Sequence, residues 1–339
     1  MVTIKDIASA LGVSPSTVTR ALAGNSRISA ATVHRVREQA EAMGYVADLS
    51  ARAMQSGTSA LLGLLLPDIQ NSFYAGMART VAEQCRKAGY QLVLAVTEDD
   101  PEIEQQHIRA LVGARCAGVL LVPSAKVSVA SGRLLSNVPT VQLVRRSETL
   151  HACCVGIDDS NALATATGLL LDLGHRRIGI LLGESQLDTA CARRQGHEQA
   201  YASRGLSPES ELVRVGAPRA RHGRDATAAM LKLSTPPTAI VSAGAALTEG
   251  MLDAVSDYFG TEEPNVSMLG FGDSSAFRWW RGGGLSTITL PIADIAATAC
   301  ERLFERIDSK GASPADNTFV CLDTGIVLRG STAPPTVNV

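Results

Sequence analysis

From residue 61 onward, short apolar runs alternate with amphipathic stretches, and this alternation restricts the fold more than any other feature of the chain. Runs at 61–67, 91–97, 118–123, 140–145 and 153–158 are separated by helical patterns near 72–88, 101–114 and 127–135. A second series follows. Its runs at 177–183, 212–216, 239–243 and 267–271 are interleaved with helical patterns near 160–173, 189–204, 221–233 and 247–259. Runs at 285–290 and 318–323 flank a last helical pattern at 292–308. Strand–helix alternation requires parallel sheets covered on both faces, so two such series predict two doubly wound lobes in an α/β body.

Ligands of open parallel sheets bind outside the carboxyl ends of the strands. That rule selects Asp68 with Asn71, Phe73 and Tyr74; Ser124; Arg145; Asp158; Gly183-Glu184-Ser185; Gly244; and Gly272-Asp273. Taken singly, each is an ordinary loop residue or helix cap. As a set, facing each other across a cleft, they suit a polyhydroxylated small molecule: polar side chains for hydroxyls and flat rings for C–H faces.

No catalytic set accompanies them. The chain has no G-x-x-x-x-G-K loop, no G-x-S-x-G elbow and no H-x-x-x-H pair, so no enzyme activity, cofactor or metal is expected. Seven cysteines (85, 116, 153, 154, 191, 300 and 321) form no C-x-x-C pair, and their odd count argues against a disulfide framework. Cys153-Cys154 beside His151 reads either as a metal or redox site or as consecutive strand residues facing opposite ways. No apolar run reaches a membrane-spanning length and the start lacks a signal peptide's apolar centre, so a cytoplasmic protein is expected.

The first 46 residues have another texture. Thr3 is placed to cap a helix whose stripe is Ile4, Ile7, Ala8 and Leu11, and Gly12 to stop it. Ser14 caps a second helix with Pro15 at its first position and Gly24 at its close. Val18 and Leu22 face inward there; Ser16, Thr17 and Arg20 face outward, as groups that bond base edges and phosphates. A third helix begins at Ser29, with Val33, Val36, Ala40 and Met43 as its stripe, and ends at Gly44. This is the pattern of a helix-turn-helix with the recognition helix second. Residues 47–59, rich in Ala and Ser, read as a linker that orders only against a partner.

Charge follows the same division. Lys5, Arg20, Arg27, Arg35, Arg37 and Arg52 oppose only Asp6, Glu38, Glu41 and Asp48 in residues 1–60, whereas the whole chain carries 31 basic and 33 acidic residues. The head is mildly basic and the body acidic. So small an excess binds DNA weakly, because affinity scales with the phosphates neutralised, and this argues for two heads in a homodimer.

Thr3-Ile-Lys-Asp-Ile-Ala, Gly12-Val-Ser-Pro-Ser-Thr-Val-Thr-Arg-Ala-Leu, Gly44-Tyr45, Pro67-Asp68-Ile-Gln-Asn71-Ser-Phe73-Tyr74, Gly89-Tyr90, Gly118-Val-Leu, Leu173-Gly-His-Arg-Arg-Ile and Leu285-Ser-Thr-Ile together resemble the lactose-repressor (LacI-type) family of bacterial transcription regulators. The resemblance implies a three-helix head at 1–46, a hinge helix at 47–59 and a body like a periplasmic sugar-binding protein. It places the N-lobe at 60–158 and 288–318, the C-lobe at 159–287 and 319–333, and a tail at 334–339. It implies DNA contacts from Thr3, Ser14, Ser16, Thr17, Thr19, Arg20, Asn25, Arg27, Tyr45, Ala51, Met54 and Gln55, with Met54 as the apolar wedge in the minor groove. Effector contacts are implied at Asn71, Phe73, Tyr74, Ser124, Arg145, Asp158, Arg193, Gly244 and Asp273. Effector binding would change lobe closure and order or release the hinge helices.

The sequence departs from the family's pattern at several places. Ala47 and Asp48 replace a common proline and asparagine. Gly244-Ala245 and Gly272-Asp273 stand where paired Asn-Asp and Asp-Asp are usual. With Arg145 and Arg193 retained, this shifts the expected effector from a neutral sugar toward a sugar acid or phosphosugar. Trp279-Trp280 reads as a stacking surface or as a packed loop. The last residues carry no heptads, so a dimer rather than a tetramer is expected. The whole reads as a ligand-responsive DNA-binding regulator, a repressor on a palindromic operator; the alternative is a small-molecule binding protein without DNA function.

Overall fold

A computed structural model describes residues 2–22, 27–45, 59–281, 283–309 and 317–335. The chain divides into two compact units, Met1–Ser59 and Ala60–Val339.

In the first unit three helices enclose a small core. Helix α1 (Ile4–Leu11) opens with a reciprocal cap: the Thr3 hydroxyl accepts the Asp6 N–H, and the Asp6 carboxylate accepts the Thr3 N–H at 2.8 Å. Gly12 ends it at φ 65°, a left-handed conformation that glycine adopts without a Cβ penalty. Helices α2 (Pro15–Leu22) and α3 (Ala30–Ala42) follow. Ile7, Ala8, Val18, Ala21, Val36 and Ala40 are buried together. The expected hinge helix, with Ala51, Met54 and Gln55, lies outside the described residues, as do Asn25 and Gly24.

The second unit holds two six-stranded sheets. Strands β1 (Leu61–Leu66), β2 (Gln91–Val96), β3 (Gly118–Leu121), β4 (Thr140–Leu143), β5 (Cys154–Ile157) and β11 (Phe319–Leu322) form the first, in the order β2-β1-β3-β4-β5-β11, all parallel. Strands β6 (Ile178–Leu182), β7 (Val213–Val215), β8 (Ala239–Ser242), β9 (Ser267–Phe271), β10 (Ser286–Thr289) and β12 (Gly325–Val327) form the second, in the order β7-β6-β8-β9-β10-β12. Here β12 is antiparallel to β10. Leu64, Leu65 and Leu66 are fully buried on both faces of the sheet, each contributing roughly 1.5–3 kcal/mol.

Helices α4 (Ser72–Lys87) and α11 (Ile292–Asp308) pack together on one face of the first sheet; α5 (Pro101–Gly113) and α6 (Val129–Leu135) pack together on the other side. The second sheet carries the pairs α7 (Asp159–Asp172) with α8 (Asp188–Ala202) and α9 (Ala220–Leu231) with α10 (Ala245–Phe259). Both pairs close on glycine. A Cβ at Gly196 would meet the Ser160 carbonyl oxygen at 1.9 Å, and one at Gly250 the Ala220 carbonyl oxygen at 1.9 Å.

Two lobe crossings fall later than expected. Strand β10 still belongs to the second sheet, so the chain leaves that lobe after Thr289 and not at Ile288. Strand β11 pairs with β5, so the return follows Leu322 and not Phe319: backbone pairing, not the hydrophobic pattern, assigns an edge strand to its sheet. His175 braces the second lobe. Its Nδ1 meets the Thr238 hydroxyl and its Nε2 the Ala333 carbonyl, both at 2.9 Å, which ties residue 333 to the second lobe. Cys153 and Cys154 are buried at the start of β5. Among the described residues no group of three or more His, Cys, Asp or Glu side chains is arranged to hold a metal ion.

Candidate functional sites: a recognition helix and an interlobe cleft

On α2, Val18 and Ala21 are buried, which leaves Ser16, Thr19 and Arg20 exposed on the outward side and Thr17 half-exposed. The Ser14 hydroxyl caps the helix by accepting the Thr17 N–H at 3.2 Å and lies within 2.9 Å of the Ser16 and Thr17 hydroxyls. Thr19 donates its hydroxyl back to the Pro15 carbonyl at 3.0 Å. The Arg20 guanidinium has no partner among the described residues. Thr3 is held in the α1 cap. Tyr45 packs half-buried against the head's core, and Arg27 is exposed.

In the body, the carboxyl ends of both sheets open on one cleft of about 570 Å³. From the first lobe it is lined by Pro67–Asn71, Phe73, Tyr74, Val96, Glu98, Asp99, Val144 and Arg145. From the second come Gly183, Leu187, Thr189, Ala190, Arg193, Pro218–Ala220, Ala243–Ala246, Glu249 and Phe271, and Leu290 joins them from the crossing just after β10. Six of the nine expected effector residues are therefore brought together: Asn71, Phe73, Tyr74, Arg145, Arg193 and Gly244.

The other three lie elsewhere, each for a local reason. Asp158 caps α7 by accepting the Asn161 N–H at 2.9 Å. Ser124 is buried behind the cleft, where its N–H donates to Glu104 at 2.7 Å. Asp273 holds the crossover segment: both its oxygens accept from Arg329, at 2.8 and 2.9 Å, and one also accepts from Thr287. The Arg329 bond draws the Asp273 carboxyl below its usual range. Trp279 is 82% exposed on a short helical turn outside the cleft, so it stacks on nothing there.

Both cleft arginines carry carboxylate partners. Arg145 donates from Nη1 and Nη2 to the two oxygens of Asp99, and Nη1 also reaches the Pro123 carbonyl at 3.3 Å. Arg193 donates from Nε to Asp159 at 2.7 Å and from Nη1 to the Ala243 carbonyl at 2.7 Å, and its guanidinium carbon stands 4.2 Å above the Phe271 ring. Its Nη2 has no partner among the described residues. Burial pushes the Asp159 carboxyl up, against the pull of Arg193. The lining thus holds Asp68, Glu98, Asp99 and Glu249 against Arg145, Arg193 and Arg219. The expected positive shift is absent, because the retained arginines are neutralised by carboxylates that the sequence reading did not connect to them.

The first lobe's rim is also conformationally strained. Glu98, Asp99 and Val144 have φ of 56°, 60° and 64°. Val144 is the centre of a three-residue turn closed by Arg145 N–H to the Leu143 carbonyl at 2.6 Å. Positive φ is costly for a β-branched residue, on the order of 1–3 kcal/mol. That turn aims Arg145 back at Asp99. A backbone hydrogen bond joins the lobes: Arg146 N–H donates to the Asp188 carboxylate at 2.8 Å.

A helix-turn-helix head joined to a two-lobed body with a cleft at the strand ends defines a class: ligand-binding regulators of DNA. Comparison with known proteins narrows it. A family model described as periplasmic binding proteins and sugar binding domain of LacI family matches residues 59–259, and one described as bacterial regulatory proteins, lacI family, matches residues 3–48. The chain belongs to the LacI family of bacterial DNA-binding transcription regulators. It is 27% identical to the HTH-type transcriptional regulator GalR of Escherichia coli K12, over 100% of this chain and 98% of GalR. It is 27% identical to the HTH-type transcriptional repressor PurR of Haemophilus influenzae PittGG, over 98% of each. The lac repressor dimer bound to operator and the anti-inducer ONPF shares the fold, with a TM-score of 0.82, 20% identity and coverage of 98% of this chain and 99% of that one.

Proposed function

We propose that the protein is a repressor that binds a palindromic operator as a homodimer and changes its operator affinity when a small molecule occupies the interlobe cleft. The single observation that carries the DNA reading is α2: a capped helix whose buried side fixes it to the head while Ser16 and Arg20, one turn apart, are exposed, Arg20 with no partner among the described residues. GalR and PurR, matched over nearly their whole lengths, are named as a transcriptional regulator and a transcriptional repressor. The homodimer is supported by the head's small charge excess and by apolar surface on the body: Val93 and Leu94 on the edge strand β2, and Tyr258, are exposed. No described helix is long and apolar enough to cross a membrane, in keeping with a cytoplasmic protein beside its DNA.

Coupling uses the connections between lobes. A ligand that touches both lobes shifts their closure by its differential affinity for the two states, and operator affinity and ligand affinity then change by the same factor. The test is genomic selection with the full chain, followed by footprinting of enriched fragments. A shared palindrome protected over two half-sites is expected; enrichment of no sequence contradicts the reading.

A further inference from the structure

We propose that the effector is an uncharged molecule with a ring-sized apolar body and a hydrogen-bond acceptor at one end, and neither a sugar nor an anion. This rests on the proposed role of the cleft as the effector site.

The two walls differ in kind. The first lobe presents hydrogen-bonding groups: the Asn71 amide nitrogen has no partner among the described residues while its oxygen caps α4, and Gln70, Asp68 and Glu98 stand beside it. The second lobe presents almost none along its strand ends. Strand β8 is followed by Ala243 and Gly244, β9 ends in Phe271 and β10 is followed by Leu290, with Leu187 and Ala190 beside them; the polar side chains on this side, Thr189, Arg193, Arg219 and Glu249, come from the helices and the loop before α9. A hexose carries hydroxyls around its whole rim. Hydroxyls set against Ala243, Gly244, Phe271 and Leu290 would be stripped of water with no side chain there to replace it, at roughly 1–3 kcal/mol each. An apolar ring gains there instead, by about 25 cal/mol for each Å² removed from water.

Charge selects further. Arg145 is bound to Asp99 and Arg193 to Asp159, and the remaining lining carboxylates outnumber the one further base, Arg219. An anion entering the cleft meets neutralised guanidiniums and the carboxylates of Asp68, Glu98 and Glu249. Nη2 of Arg193, beside the ring of Phe271, is a donor with no partner among the described residues. A carbonyl or amide oxygen can accept from Nη2 without bringing a second negative charge next to Asp159. The cavity's 570 Å³ is within the usual range for small-molecule sites.

The experiment is ligand-observed NMR and calorimetric titration of the full chain with a matched panel: benzamide and 2-phenylacetamide, their carboxylates benzoate and phenylacetate, glucose and galactose, and glucuronate. The aryl amides are expected to bind at least about tenfold more tightly than their carboxylates, with the hexoses and glucuronate giving no signal at millimolar concentration. Leu290→Gln is expected to weaken amide binding by about tenfold, and Arg193→Lys to weaken it while keeping the buried charge for Asp159. Binding of a hexose or glucuronate, carboxylates equal to or tighter than amides, or no binding by either amide at millimolar concentration overturns the proposal. A gel shift on the same preparation separates the two readings: DNA binding retained with the amides silent defeats the ligand class alone, and loss of both defeats the regulator reading.

Discussion

The two lobes are built on one strand order, yet they treat the shared cleft in opposite ways. Both sheets run 2-1-3-4-5-6 in their own numbering, and only the sixth strand differs, parallel in the first and antiparallel in the second. At the cleft the first lobe's strand ends offer charge, strain and an ion pair; the second lobe's strand ends offer alanine, glycine and phenylalanine, with its charges, Arg193, Arg219 and Glu249, set off the strands. The topology requires the strands to be apolar and leaves their ends free to vary, so the chemistry of the site is written in the loops while the scaffold stays constant.

Helix packing separates the lobes most strongly. Gly196→Ala in the second lobe forces the α7–α8 backbones apart and is expected to cost more than about 4 kcal/mol or to prevent folding. Gly63→Ala in the first lobe meets only the end of the Leu111 side chain, at 2.4 Å, and is expected to cost about 1–3 kcal/mol. Urea denaturation of the two variants measures the difference; equal losses would erase it.

The ion pairs come next. Asp99→Ala leaves Arg145, with 7% of its side chain exposed, without its carboxylate partner, an expected loss of about 3–5 kcal/mol. Glu209→Ala removes one of two carboxylates from Arg177 at the surface and is expected to cost under about 1 kcal/mol. Thermal melts at neutral pH rank them, and a harmless Asp99→Ala would show that Arg145 is solvated.

The lobes also answer pH with opposite sign. In the second, burial holds His197 at about 4, below its ordinary 6.5. Between those values the unfolded chain takes a proton that the native state refuses, so stability falls as pH drops through that window, by up to about 1.4 kcal/mol per pH unit. In the first, burial raises Glu104 above its ordinary 4.5, against its bond to Ser124. There the native state keeps a proton that the unfolded chain has lost, so stability falls as pH rises through the window above 4.5. Denaturation midpoints between about pH 7 and pH 5 are expected to show a shallower acid loss in His197→Gln and a steeper one in Glu104→Gln. Unchanged slopes in both would remove the contrast.

Much of the fold was legible in the sequence because its signals are local. Caps at Thr3, Ser14, Ser29 and Asn71 and the apolar runs of the sheets depend on neighbours within a few residues. The cleft was half legible. The strand-end rule extends to β2, where it selects Glu98 and Asp99, and to β10, where it selects Leu290. What no local pattern contains is pairing at a distance. Arg145 and Asp99 are 46 residues apart, and Arg193 and Asp159 are 34 apart, so two apparently free cations turned out to be neutral pairs. Asp158 and Asp159 are adjacent, and only the start of α7 decides that the first caps the helix and the second reaches the arginine.

The central claim, that α2 reads an operator, is tested most directly by fluorescence anisotropy of the full chain and its Arg20→Ala variant on the selected palindrome and on a scrambled duplex. Loss of one base contact is expected to weaken palindrome binding by about 1–3 kcal/mol in each half-site while leaving scrambled-duplex affinity within a few-fold. Equal palindrome affinity for wild type and Arg20→Ala, or equal affinity of the wild type for both duplexes, would contradict the account.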